Sequence, residues 1–332
     1  MFMWFPVTFP DTAETCNYER LGAGINKVLY SFGLIIAAGY AWRFFNPGGL
    51  DRNRVRHALS VAVFNFFIPA LAFGLMVSAP SDRSFISIPL TGAIVVLASI
   101  AAGYAAYRLL PWFKDIPRPA VGIMIISAAF GNVMYLGLPV ITEMLGEQYG
   151  YVAVLYDLLA STPILLTIGV FIAARYGSGK AVSIGASLKR VFLLPPLWGV
   201  AAGIAVRFAG VAVPQPVQDA VGLMGRAVVP IMIFTVGLAL DFHDVKRLLI
   251  AVPALAIKLV LAPALAWWIG SRLGMTAGVL KATTIEGAMP VMVLSLVIAD
   301  EFELDVPLAA ACITVSTVAL FFTMPVMMRV LL

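Results

Sequence analysis

The sequence predicts an all-α polytopic membrane protein of ten transmembrane helices, built as a five-plus-five inverted repeat with Pro-broken crossing helices 4 and 9. Three observations predict this fold class. The chain is 61% hydrophobic and 12% charged, with a mean hydropathy of +0.98, whereas a soluble domain carries about 25% charged residues. Its apolar residues form ten segments long enough to cross a bilayer. Two of these segments are interrupted by proline and polar residues.

The ten segments are separated by loop-forming clusters of Pro, Gly, Asn and Ser. A bilayer core of about 30 Å requires roughly 20 apolar residues in a helix. On this basis the predicted spans are 22–44, 56–78, 86–109, 118–145, 150–174, 188–209, 217–240, 248–271, 275–299 and 306–331. Almost the whole chain is used by spans and short loops, so no separate soluble domain is expected.

Basic residues in the short loops set the orientation, because Lys and Arg concentrate on the cytoplasmic side. The loops after spans 2, 4, 6 and 8 contain few: Arg83, Arg207 and Arg272. The loops after spans 1, 3, 5 and 7 contain Arg43, Arg52, Arg54, Arg56, Arg108, Lys114, Arg118, Arg175, Lys180, Lys189, Arg190, Lys246 and Arg247. This bias predicts that both termini are extracytoplasmic.

Short matching motifs recur in the same order in the two halves of the chain. Pro69 in span 2 and Pro230 in span 7 are each followed by a Phe four residues later. Span 4 contains Leu-Pro-Val at 138–140, and span 9 contains Met-Pro-Val at 289–291. Because five is an odd number, two five-helix halves must run in opposite senses, which is an inverted repeat. The predicted units are a lead at 1–21, a first repeat at 22–174, a cytoplasmic linker at 175–187 and a second repeat at 188–332.

Spans 4 and 9 carry residues that interrupt a membrane helix. Pro139 and Pro290 have no N–H to donate and are expected to free the carbonyls of Tyr135 and Glu286. Lipid cannot satisfy these carbonyls, so each break must be buried in protein or line a wet cavity. A pair of Pro-interrupted segments, one in each half of a chain, indicates a binding site near the membrane midplane.

Three ionisable residues within apolar runs are candidates for a coupling site. Glu286 in span 9 must face a cavity, pair with a cation or take up a proton, because an unpaired carboxylate at membrane depth is costly. Lys258 in span 8 could be the counter-charge of a bound anion, the structural partner of Glu286, or a side chain that reaches toward the interface. Asp157 in span 5 is a candidate second titrating group.

Several uncharged polar residues are candidates for substrate binding. Asn132 and Tyr135 share a helix face before Pro139 and suit a bound carboxylate, although polar glue between helices is the alternative. Thr283 and Thr284 are weaker candidates, because Thr often bonds to its own helix. Asn65 either lines the same cavity or braces its own kink. The candidate substrate-binding set is Asn132, Tyr135, Pro139, Pro290, Asn65 and Thr284.

The chain resembles the auxin efflux carrier family, the bacterial branch of the plant auxin exporters in the superfamily that includes bile-acid/sodium symporters. The resemblance rests on FNFFIPALAF in span 2, GNVMYLGLPV in span 4, KLVLAP in span 8 and AMPVMVLSLVIADEFELD leading into span 10, and it covers essentially the whole chain. It places Asn132 and Pro139 in the span 4 substrate motif and Pro290 in the span 9 crossover. The chain lacks the long loop between spans 5 and 6 of the plant exporters.

The resemblance implies a secondary transporter of a small organic anion in the cell inner membrane. The implied substrates are dicarboxylates such as malate or malonate, or an auxin-like monocarboxylate. It further implies a scaffold of spans 1, 2, 6 and 7, a transport domain of spans 3–5 and 8–10, elevator-like alternating access and a homodimer. No cofactor is implied beyond a coupling ion, H⁺ or Na⁺; Glu286 resembles the position of an acidic ligand in sodium-coupled relatives. No nucleic-acid partner is expected.

Three other functions are weighed against this interpretation. An uncoupled facilitator or channel for organic anions is the principal alternative, because the sequence does not exclude uncoupled flow. An intramembrane enzyme is disfavoured, since the sequence has no HExxH helix, no G-x-S-x-G elbow and no P-loop. A sensor would need a cytoplasmic output domain, for which the spans leave no room.

Overall fold

The computed structural model describes residues 12–80, 82–113, 115–179, 183–242 and 248–331. Within these residues the chain is helical, apart from turns and short extended segments, and the all-α class is confirmed. Residues 1–11 of the predicted lead and four of the basic loop residues, Lys114, Lys180, Lys246 and Arg247, lie outside the described residues.

We number the helices of the described residues in chain order. They are α1 (Thr12–Phe45), α2 (Arg52–Ser78), α3 (Ser84–Arg108), α4 (Arg118–Ala129), α5 (Val133–Leu145), α6 (Glu147–Tyr176), α7 (Ile184–Phe192), α8 (Pro195–Phe208), α9 (Gln215–Ala239), α10 (Leu249–Arg272), α11 (Ala277–Gly287), α12 (Leu294–Glu301) and α13 (Val306–Leu331).

Seven of the described helices are long and apolar enough to cross a membrane: α1, α2, α3, α6, α9, α10 and α13. The other three predicted spans each correspond to shorter helices. Span 4 is divided between α4 and α5, and span 9 between α11 and α12. These two divisions lie in the two segments that the prolines single out. The chain is therefore a membrane protein with several apolar helices.

Span 6 differs from the prediction of one helix over 188–209. Helix α7 ends at Phe192, and α8 begins only at Pro195 and is 14 residues long. Leu194 between them is extended (φ −66°, ψ 120°), because the residue before a proline is driven out of the helical region. The Ser183 side chain accepts a hydrogen bond from the Ala186 backbone N–H (3.4 Å) and caps α7.

Five turns of π-helix widen α2, α5, α6 and α10. Four of them end two residues before a proline: Val63–Phe67 before Pro69, Val133–Gly137 before Pro139, Asp157–Ser161 before Pro163, and Ile257–Leu261 before Pro263. A wider turn shifts the backbone hydrogen bonds by one residue, so the helix continues through the position where proline lacks an N–H. Asn65, Tyr135, Asp157 and Lys258 each lie in one of these turns.

Glycines bring two pairs of helices into backbone contact. Gly39 of α1 lies against the Phe234 carbonyl of α9, and Gly237 of α9 lies against the Ile36 carbonyl of α1. Gly199 and Gly203 of α8 face the backbone of α2 in the same way. Small residues allow membrane helices to approach this closely, because lipid offers no hydrophobic drive for their association.

Helix α4 lies at the centre of the molecule. Every side chain from Ala120 to Ala129 is buried, as expected of a helix that is apolar on all faces. It packs against α3, α6, α10 and α13. The end of α4 is therefore held rigidly in the protein interior, where the functional candidates meet.

Candidate functional site

The two interrupted segments meet each other at their breaks. Helix α4 ends at Ala129, Phe130 is extended (φ −99°, ψ 116°), and Gly131 forms an antiparallel β-bridge with Val291. The Asn132 N–H donates to the Pro290 carbonyl (2.7 Å), and the Met292 N–H donates to the Phe130 carbonyl (3.0 Å). Each break thus supplies the backbone partners that the other lacks, which satisfies polar groups that lipid could not.

The break in the first segment lies at 130–132 and not at Pro139. Pro139 is buried in the first α-helical turn of α5, and the preceding π-turn Val133–Gly137 accommodates it. The Leu136 and Gly137 N–H groups both donate to the Asn132 carbonyl (3.1 and 3.2 Å). Helix α5 therefore begins immediately after Asn132. The expectation that the helix is interrupted at Pro139 is wrong.

The break in the second segment does contain Pro290, but the Glu286 carbonyl is not left free. The Glu286 carbonyl accepts a hydrogen bond from the Met289 N–H (3.3 Å). The next carbonyl, that of Gly287, accepts from the Lys258 ammonium (2.8 Å). The Lys258 side chain of α10 therefore lies at the C-terminal end of α11. The sequence predicts an unpaired Glu286 carbonyl at this place.

Glu286 is completely buried against the other broken segment. Its side chain is 0% exposed, and neither carboxylate oxygen has a hydrogen-bond partner among the described residues. The carboxylate contacts Gly137 of α5 so closely that a Cβ at position 137 would overlap it. A buried carboxylate in this condition must be protonated or balanced by nearby charge.

Lys258 and Asp157 are the charged neighbours of Glu286. Both are 2% exposed, and both interact electrostatically with the Glu286 carboxylate. The Asp157 carboxylate accepts a hydrogen bond from Thr162 (3.2 Å). Lys258 donates to the backbone of Gly287 and not to Glu286 itself. The structure thus brings together the three ionisable candidates that the sequence identifies.

A match between this chain and a family model extends over residues 32–328, and the description of that family is membrane transport protein. The chain belongs to this family. Its resemblance to the auxin efflux carriers is thereby confirmed, and the chain is a transporter and not an enzyme.

Several relatives share its length and carry transporter names. The chain is 26% identical over 305 residues to an uncharacterized transporter of Methanothermobacter thermautotrophicus, covering 91% of this chain and 97% of the relative. It is 23% identical over 291 residues to the uncharacterized transporter MJ1031 of Methanocaldococcus jannaschii, covering 86% and 91%. It is 21% identical over 272 residues to the uncharacterized transporter YfdV of Escherichia coli K12, covering 81% and 86%.

The uncharged substrate candidates occupy different environments in this family member. Asn132 is 2% exposed, and its side-chain Nδ2 has no hydrogen-bond partner in the described part of the chain. Tyr135, three residues later, is partly buried and interacts with Ser60 of α2. Thr284 donates to the Leu280 carbonyl of its own helix (2.8 Å), and Asn65 is exposed and donates to the Val61 carbonyl (2.8 Å).

Two further residues at the site escaped the sequence analysis. The Tyr156 hydroxyl is buried without a described partner and interacts electrostatically with Glu286 and Asp157. Arg56 of α2 is partly buried, interacts with Tyr135, and its Nε has no described partner. Sequence reasoning used Arg56 only to orient the chain, although it stands one helical turn before Ser60. The sequence did not single out Tyr156, because a tyrosine is common within an apolar segment.

Proposed function

We propose that this protein is a secondary active transporter that carries a small organic anion across the cytoplasmic membrane by elevator-type alternating access. The proposed substrate is a dicarboxylate such as malate or malonate, or an auxin-like monocarboxylate. The observation that carries the proposal is the buried crossing at which Gly131 and Val291 pair. Interrupted helices that meet inside a membrane protein form ion and substrate sites in secondary transporters.

The helix N-termini at the crossing favour the binding of an anion. Helices α5 and α12 both begin directly after it, at Val133 and Leu294. The N-terminus of a helix carries partial positive charge and unpaired N–H groups, which attract carboxylates. The side-chain Nδ2 of Asn132, which has no hydrogen-bond partner in the described part of the chain, lies at the start of α5 and offers a further donor to a carboxylate.

Arg56 supplies the full positive charge that an anion needs. It lies on α2 and interacts electrostatically with Tyr135 of α5, and its Nε has no hydrogen-bond partner among the residues that the structure describes. An arginine guanidinium binds carboxylates with two parallel hydrogen bonds. In the proposed arrangement, a substrate carboxylate lies between α2 and the start of α5 and contacts Arg56, Tyr135 and Asn132.

The helix packing supports a scaffold of α1, α2, α8 and α9 and a transport domain of the remaining spans. Helix α1 packs on α9 through Gly39 and Gly237, and α8 packs on α2 through Gly199 and Gly203. In a five-plus-five repeat of ten spans these two contacts are equivalent by symmetry, because α1 corresponds to α8 and α2 to α9. We place the protein in the inner membrane as a homodimer through this scaffold, with both termini extracytoplasmic.

Replacing Arg56 with glutamine is expected to raise the substrate concentration for half-maximal uptake by about tenfold or more, because a charge-assisted hydrogen bond contributes about 1.5–3 kcal/mol. Arg54→Gln is the matched control: Arg54 is exposed on the same helix. Uptake is measured in proteoliposomes over a range of substrate concentrations. Equal half-maximal concentrations for the two variants would remove Arg56 from the substrate site.

The proposed function is tested by uptake of radiolabelled malate, malonate and indole-acetate into proteoliposomes, with H⁺ and Na⁺ gradients imposed in turn. Accumulation above equilibrium under one gradient is the expected result for a coupled carrier. Uptake that only equilibrates would favour the alternative, an uncoupled facilitator for organic anions. No uptake of any of the three would contradict the proposed substrate class.

A further inference from the structure

The carbonyl end of α11 is a natural place for a cation. The last carbonyls of a helix lack intrahelical partners and carry partial negative charge. Here the Thr284 and Ile285 carbonyls both accept from the Ala288 N–H, and the Glu286 carbonyl accepts from Met289. Gly287 keeps its carbonyl for a partner outside the helix. Glu286, the residue directly before it, interacts electrostatically with Lys258.

The Lys258 ammonium fills this place. Its Nζ donates to the Gly287 carbonyl at 2.8 Å, and the side chain is 2% exposed. Gly131, in the other broken segment, lies against the same side chain: a Cβ at position 131 would come within 2.8 Å of Cε and 3.0 Å of Nζ. The ammonium is therefore enclosed between the two breaks. Because it belongs to a side chain of α10, it is covalently attached to that helix.

We propose that the Lys258 ammonium is the cation of the crossing and that it stands where a Na⁺ ion would have to bind. Na⁺ at the end of α11 would need the Gly287 carbonyl and the Glu286 carboxylate as oxygen ligands. The first already accepts a hydrogen bond from Lys258, and the second interacts with its charge. A second cation beside the ammonium would be repelled at short range. The residues of this crossing thus do not fit a sodium site.

One consequence concerns the coupling ion and rests on the proposed function. With sodium excluded at the crossing, coupling there falls to the proton or is absent. The groups that face the Glu286 carboxylate are Lys258 from α10, and Asp157 and Tyr156 from α6. This cluster contains two buried carboxyl groups and one ammonium. A proton on one of the carboxyl groups would make the cluster electrically neutral.

Ion binding is measured without transport, by thermal unfolding of the purified protein in detergent. NaCl replaces choline chloride at constant ionic strength. The wild-type Tm is expected to change by less than about 1 °C, because a ligand raises Tm only if it binds the folded state. Lys258→Ala is expected to unfold at a lower temperature. Its Tm should rise by about 3 °C or more with Na⁺ or with n-propylammonium, which matches the atoms removed.

The control variant is Lys281→Ala, a partly buried lysine of α11 away from the crossing, which neither cation should stabilise. A saturable rise of the wild-type Tm with Na⁺ would overturn the proposal, and this measurement needs no variant to fold. A folded Lys258→Ala protein whose Tm responds to neither cation would overturn it as well. Since no substrate is present, failure of anion uptake leaves both results interpretable.

Discussion

Replacing Gly137 with alanine is expected to abolish transport and to lower the Tm of the protein by several degrees. Gly137 has ordinary helical dihedral angles (φ −65°, ψ −50°), so its backbone tolerates any residue. The obstacle is the Glu286 carboxylate: a Cβ would overlap Oε2 and would lie 2.7 Å from both Cδ and Oε1. Because Glu286 is 0% exposed, its carboxylate can move aside only by displacing other buried groups. Overpacking of a buried contact costs about 1–3 kcal/mol.

A second substitution distinguishes the effect of steric overlap from the effect of losing the Glu286 carboxylate. Gly137→Ala combined with Glu286→Ala removes the colliding atoms, so the added methyl group should no longer lower the Tm relative to Glu286→Ala alone, while coupled uptake stays absent. Gly222→Ala is the control, because the nearest atom to a Cβ there is 3.7 Å away in Arg226. Tm and uptake are measured for all variants. Wild-type behaviour of the Gly137→Ala protein would show that α5 and α11 do not meet as described.

The sequence predicted which two segments are interrupted, but only one of the two positions. Pro290 lies in its break because no π-turn precedes it, and the chain is non-helical from Met289 to Met292. Pro139 is preceded by the turn Val133–Gly137, which lets the helix pass. The distinction depends on which wide turns the surrounding helices stabilise. Hydrophobic periodicity does not reveal a single inserted residue in a helical turn.

The ionisable part of the site could be predicted more fully than its polar part. Glu286, Lys258 and Asp157 stand out because charge inside an apolar run is costly wherever the chain folds. The contacts of Gly137 with Glu286 and of Gly131 with Lys258 join residues far apart in sequence. These contacts form only because the two breaks cross in space, so no local sequence pattern predicts them. Arg56 illustrates the opposite error, since its position near a loop suggested only an orientation signal.

Replacing Glu286 with glutamine is expected to abolish uphill accumulation of the anion while leaving its exchange across the membrane. Glutamine has nearly the same shape, so the contact with Gly137 is kept, but it neither ionises nor takes up a proton in this pH range. The Lys258 ammonium would then be balanced by Asp157 alone, and the cluster would lose the carboxyl group that the proposed coupling uses to take up and release a proton.

The measurement compares gradient-driven accumulation with counterflow in the same proteoliposomes. Wild-type protein should accumulate anion above equilibrium, whereas Glu286→Gln should show counterflow only. Asp157→Asn tests whether the neighbouring carboxyl group can replace Glu286, and Glu143→Gln, an exposed residue of α5, controls for loss of one acidic group. Because a substitution that merely damages packing reduces both activities together, loss of accumulation with retained counterflow isolates the coupling step. Undiminished accumulation by Glu286→Gln would instead make this carboxylate a structural partner of Lys258.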